Sequence, residues 1–102
     1  MARPRLELQT ILERIVGGRN VYFQPPQTIR MQYPCIVYNL SQSSDTYADN
    51  FKYKKLRRYS VTVIDRNPES SIVEGVEALD YCTLNTTFAS DNLNHFVFEL
   101  YF

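Results

Sequence analysis

Tryptophan is absent from this chain of 102 residues, and glycine, cysteine and histidine are scarce at three, two and one. Each shortage removes a class of chemistry. Gly17, Gly18 and Gly75 are too few and too dispersed for a P-loop or a dinucleotide fingerprint, both of which bring backbone N–H groups onto phosphate through several closely spaced glycines. With His95 the single histidine and Cys35 far from Cys82, no Cys/His tetrad of zinc-finger spacing can be assembled within one chain. Long apolar runs are missing too: the longest is the four residues Cys35 to Tyr38, against the roughly 20 a membrane-spanning helix needs, so no membrane helix is expected. Charge of one sign is not in excess. Eleven Lys and Arg cancel eleven Asp and Glu, which argues against a dedicated nucleic-acid binder, although a local basic patch is compatible with it.

What is present describes a folding chain. Hydrophobic residues make up 44% and charged residues 22%, a balance too apolar for intrinsic disorder, and the length suits one compact domain over 1–102. The start, Met1-Ala2-Arg3-Pro4-Arg5, is basic like that of a signal peptide. Glu7, Gln9, Thr10 and Glu13 interrupt what would be its apolar core, so synthesis inside the cell is expected. Both cysteines stand beside aromatic or aliphatic residues and read as buried thiols.

Leu8, Ile11, Leu12 and Ile15 recur at the spacing of one helical face, predicting an amphipathic helix over 5–16. Pro4 suits its first turn and Gly17-Gly18 its left-handed stop. Asn20 to Phe23 is a short strand-like stretch, and Pro25-Pro26 makes it an edge strand followed by a surface loop. Cys35 to Leu40 is apolar on both alternating faces, which predicts a central strand. Its partner is Tyr59 to Ile64, broken by Asp65-Arg66-Asn67-Pro68. Between them, Ser41 to Arg58 reads as a long hairpin, turning at Asp49-Asn50, whose far end projects beyond the sheet.

A second helix begins at Ser70 or Ser71, carries Ile72, Val73, Val76 and Leu79 as its core stripe, and runs to about Asp80 or Tyr81. Thr83 to Ser90 and His95 to Phe102 follow as a terminal hairpin joined through Asp91-Asn92-Leu93-Asn94. Phe96, Phe98, Leu100 and Phe102 share one face, so the last strand is docked on the core. The expected fold is α+β: a mostly antiparallel sheet with two helices packed on one face and a projecting long β-hairpin.

No constellation of reactive residues stands out. Ser90, Asp91 and His95 fall in one turn without a nucleophile elbow, and His95 reads as a turn histidine satisfied by nearby backbone or solvent. Asp45, Asp49, Asp65 and Asp91 match no calcium-loop spacing and read as turn and cap residues. No cofactor, metal site or enzymatic activity is expected. The basic run Lys52-Tyr53-Lys54-Lys55-Leu56-Arg57-Arg58 holds five cations in seven residues. Such a run serves either as a solvated or protein-contacting arm protected from aggregation by its charge, or as a phosphate-binding patch. Eight of the fourteen aromatics are tyrosines; Tyr22, Tyr47 and Tyr53 fall in segments expected to be exposed, which tilts the reading toward an assembly protein.

Four segments taken together, Asn20 to Pro26 (NVYFQPP), Tyr33 to Tyr38 (YPCIVY), Tyr59 to Pro68 (YSVTVIDRNP) and Asp91 to His95 (DNLNH), resemble the tail terminator, or tail completion, proteins of long-tailed bacteriophages over nearly the whole chain. The resemblance implies a non-enzymatic virion protein of the tail or neck, assembled in the host cytoplasm. It would close into a six-fold ring on the last ring of tail tube protein, end tube polymerisation, and offer a docking surface to head-tail connector proteins. Genomic DNA would pass through its channel. Another neck or head-tail connector protein, and a sequence-independent DNA-binding module using residues 52–58, are the alternatives. The residues expected at the subunit interface or channel are Asp45, Tyr47, Asp49, Lys52, Tyr53, Lys54, Lys55, Arg57 and Arg58. Tyr22, Phe23, Gln24 and Arg30 are expected to meet tube or head.

Overall fold

The computed structural model describes residues 4–26, 28–41 and 57–102. Helix α1 spans Arg5–Val16, as its periodicity dictates, and buries Leu8 and Leu12 completely. Pro4 stands just before the helix in an extended conformation, and its carbonyl accepts from Glu7 N–H at 3.0 Å. The helix ends where Gly17 turns left-handed at φ +81°, and the N–H groups of Gly17 and Gly18 both reach the Glu13 carbonyl. Glycine occupies that conformation without the steric cost a Cβ would bring.

The five strands are β1 (Val21–Phe23), β2 (Cys35–Leu40), β3 (Arg58–Asp65), β4 (Cys82–Ser90) and β5 (Leu93–Tyr101), in the sheet order β1-β2-β3-β5-β4. All neighbours are antiparallel except β1 and β2, so the sheet is mixed. The alternation of β3 sets the layering. Tyr59, Val61 and Val63 are buried on one face and stand beside Leu40, Tyr38 and Ile36 of β2 and Leu100, Phe98 and Phe96 of β5. Leu8 and Leu12 of α1 join that same cluster, together with Ile72 and Val76 of helix α2 (Ser71–Glu77).

The path from β3 into α2 is a relay of side chains that accept from backbone N–H groups two residues on. Asp65 takes Asn67 N–H at 3.0 Å, Asn67 takes Glu69 N–H at 2.9 Å, and Ser70 caps the helix by taking Ile72 N–H at 3.2 Å. These are the local bonds that make Asp, Asn and Ser turn and cap residues. The helix is shorter than the sequence predicts. Leu79 N–H falls back on the Val76 carbonyl, and Tyr81 is left-handed at φ +61°, so the chain leaves the helix to enter β4. The connection from β4 to β5 is likewise tighter than expected: Asp91 and Asn92 alone form it, both at positive φ, which is the two-residue turn that matches strand twist.

Residues 42–56, where the projecting hairpin is expected, lie outside the described residues. Its two roots lie within them. Ser41 N–H donates to the Arg58 carbonyl at 2.7 Å, and Arg57 and Phe102 exchange backbone hydrogen bonds at 3.0 and 2.9 Å.

Candidate functional site

The two ends of the sheet differ in what they present. At one end Asn20, Pro34, Asp65 and Asn94 come together, whereas Gln24 and Tyr59 lie at the other, beside Leu40. Asn20 Nδ2 donates to the Pro34 carbonyl at 3.4 Å, just after the cis Tyr33–Pro34 bond. Cys35 stands beside Ile64, and Ile64 beside His95 across the next strand pair. Asn94 Nδ2 then bridges the carbonyls of Asp65 and Arg66 at 3.3 and 3.1 Å. Residues remote in sequence are thus tied into one rim by hydrogen bonds that only the sheet register makes available.

His95 lies in β5 rather than in a turn, because the turn is only two residues long. Its ring stacks on Phe88 with centroids 4.5 Å apart and planes 9° from parallel. Its Nδ1 is buried and has no hydrogen-bond partner among the described residues, contrary to the satisfied turn histidine expected from sequence. Ser90 and Asp91 offer it no relay, since Ser90 pairs with Leu93 and Asp91 forms the turn. Cys35 is fully buried, and burial, with Asp65 nearby adding to it, pushes its thiol up to about 12. Burial, aided by Glu77, likewise raises Cys82 to about 11. Both cysteines are free, and these shifts make them poor nucleophiles at neutral pH. Among the described residues no three His, Cys, Asp or Glu side chains gather as metal ligands.

At the opposite end are the roots of the 41–58 segment. Arg58 is held in place, with Nη1 3.3 Å from Glu99 Oε2 and Nε donating to Ser41 Oγ at 3.3 Å. Arg57 is exposed. Asp45, Tyr47, Asp49, Lys52, Tyr53, Lys54 and Lys55 lie outside the described residues. Beside Phe102 a recess of about 180 Å³ opens between α1, the exit of α2 and the end of β5, lined by Leu8, Ile11, Leu79 and Tyr81 among others. Its lining is mainly apolar, with Asp80 the one acidic side chain, and it holds no pair of groups suited to acid–base work.

The residues expected to touch tube or head are not equivalent. Gln24, at φ +44°, accepts the Leu40 N–H at 3.1 Å through Oε1 and so ties the β1 exit to β2. Tyr22 accepts the Gln32 N–H through its hydroxyl at 3.2 Å and shapes the following loop. Phe23 packs inward, 4.9 Å from the Tyr38 ring centroid and with the Arg5 guanidinium 4.3 Å above it. Arg30 is exposed. A polar network that the sequence reading missed lies beneath them. The buried Tyr38 donates to Gln9 Oε1 at 2.6 Å and accepts from Arg5 at 2.9 Å, while Gln9 Nε2 bonds Glu13 and the Val21 carbonyl. Gln9 at the edge of the apolar stripe, one residue after Leu8, was the available signal.

Comparison with family models, curated proteins and solved structures gives no match.

Proposed function

We propose that this chain is a structural subunit that closes into a six-fold ring at the end of a phage tail tube, halts tube growth and receives the head. The observation that supports this reading is that each of the four tail-terminator-like segments contributes a residue to one rim of the sheet, Asn20, Pro34, Asp65 and Asn94, with the 41–58 segment rooted at the other end. A subunit with two distinct ends suits a ring that meets different partners above and below. A heterologous contact repeated by rotation closes on itself, and no reactive site is needed for it. Zero net charge permits close approach of identical copies without long-range repulsion.

Tail tube subunits polymerised with the purified chain, and viewed by negative-stain microscopy, should stop at limited length with a ring on one end. Unlimited tubes without terminal rings would refute the proposal. Reversing charge at Lys54, Lys55 and Arg57 should leave the monomer folded and cut the fraction of capped tubes at least tenfold. Arg58 is excluded from that variant because its pairing with Glu99 holds two strands together. Normal capping by the variant would remove the arm from the ring contact.

A further inference from the structure

The outer strand β4 reads Cys-Thr-Leu-Asn-Thr-Thr-Phe-Ala-Ser, nine residues without a charge or a proline, and all but Cys82 are exposed. Leu84 is 41% exposed and Phe88 50%. Sheet edges of this length are usually blunted by lysine, proline, a bulge or a covering loop, because alternate residues hold their N–H and C=O groups outward for any passing strand. Among the described residues only one of these devices is present. A register shift between Leu84 and Thr86 interrupts the strand and leaves Thr86 to Ser90 regular.

The other edge is short and partly closed. The ladder from β1 to β2 runs through the Asn20 carbonyl and Gln24 N–H, so Val21 turns its backbone groups the other way. There Val21 N–H is taken by the Arg19 carbonyl at 2.8 Å, and the Val21 carbonyl by Gln9 Nε2 at 3.2 Å. Pro25 and Pro26 follow and cannot donate. Among the described residues, β1 thus offers outward little beyond the backbone groups of Phe23, too short an edge to match Thr86–Ser90, so β4 is the long open edge of each copy.

We propose that Thr86–Ser90 is a homodimerisation strand, pairing antiparallel with the same strand of a second copy across a two-fold axis to make one continuous sheet. The absence of charge selects this occupant. About a two-fold axis every side chain near the centre meets itself or a close neighbour, so any ionised residue would face its own like, and β4 offers none. The exposed Phe88, already stacked on His95, sits at the middle of the segment and gains an apolar neighbour from the second copy. The contact is two-fold and so goes beyond the ring: by itself it does not generate six-fold closure.

Sedimentation of the full chain at tens of micromolar is expected to show a dimer. If the segment is centred on Phe88, Thr87 is diagonal to its own copy, about 7–8 Å away. Thr87→Lys and Thr87→Glu should each weaken dimerisation at least tenfold, and mixing the two should restore a heterodimer. Backbone hydrogen exchange at Thr87 and Ala89 of the unaltered chain should slow as concentration rises, which tests the contact without any variant. A unaltered chain that stays monomeric, a dimer indifferent to both charges, or exchange in β4 that ignores concentration would each overturn the proposal.

Discussion

Cys35 has no solvent contact, and its thiol stays protonated far above the ordinary cysteine range. Because the folded value is raised, the folded state retains a proton that the unfolded chain releases once pH passes about 9. Stability is therefore complete below that pH and falls as pH climbs toward about 12, and Cys82 adds to the same slope up to about 11. Urea midpoints taken between pH 8 and 11 should decline, and less steeply in Cys35→Ala. Under native conditions Cys35 should react with a thiol reagent orders of magnitude more slowly than after unfolding; equal rates would contradict its burial. Gly75 is constrained by space. A Cβ there would stand 2.7 Å from Ile15 Cγ2, so Gly75→Ala should destabilise by about 1–3 kcal/mol despite alanine's better helix propensity. In Ile15→Ala the second substitution should cost less, a coupling that a double-mutant cycle reads directly.

At the scale of elements, two short devices govern where the chain turns. Ser70 is buried and caps α2, so Ser70→Ala should lower stability by about 1 kcal/mol in chemical denaturation. The Asp91-Asn92 turn holds two non-glycine residues at φ +55° and +63°. Asn92→Gly should raise stability by a few tenths of a kcal/mol, since glycine enters that region without a Cβ penalty. Helix α1 was legible in full from sequence because its stripe, proline and glycine all agree. Helix α2 was not, because Ala78, Leu79 and Asp80 suit a helix locally, and only the need to reach the β4 position turns the chain at Tyr81.

Over the whole molecule, one layer of helices covers one sheet face, and the contact surfaces proposed above lie at ends and edges. The apolar layer is shared between α1, α2 and alternate residues of the strands, so truncating its centre is felt throughout. Leu12→Ala should cost about 2–5 kcal/mol by thermal or urea unfolding. Charge reversal on residues 54, 55 and 57, by contrast, should leave unfolding within about 0.5 kcal/mol of the parent if the proposed arm serves neighbouring copies. That separation between stability and assembly is what distinguishes an arm used by neighbours from one required by the monomer.

Composition and periodicity by themselves determined the α+β class, the helix faces, the alternation of β3, the burial of Cys35, though not of the half-buried Cys82, and the exclusion of phosphate loops and zinc tetrads, because each depends on residue type at short spacing. They also marked Val21 to Phe23 as a short edge strand. The parallel pairing of β1 with β2, the insertion of β5 between β3 and β4, and the meeting of Asn20, Pro34, Asp65 and Asn94 at one rim were decided only in three dimensions. Strand neighbours are chosen by long-range closure and shared burial, which leave no local mark on the chain. For the same reason β4 reads from sequence as an ordinary hairpin strand, and only its place at the end of the sheet leaves its backbone open.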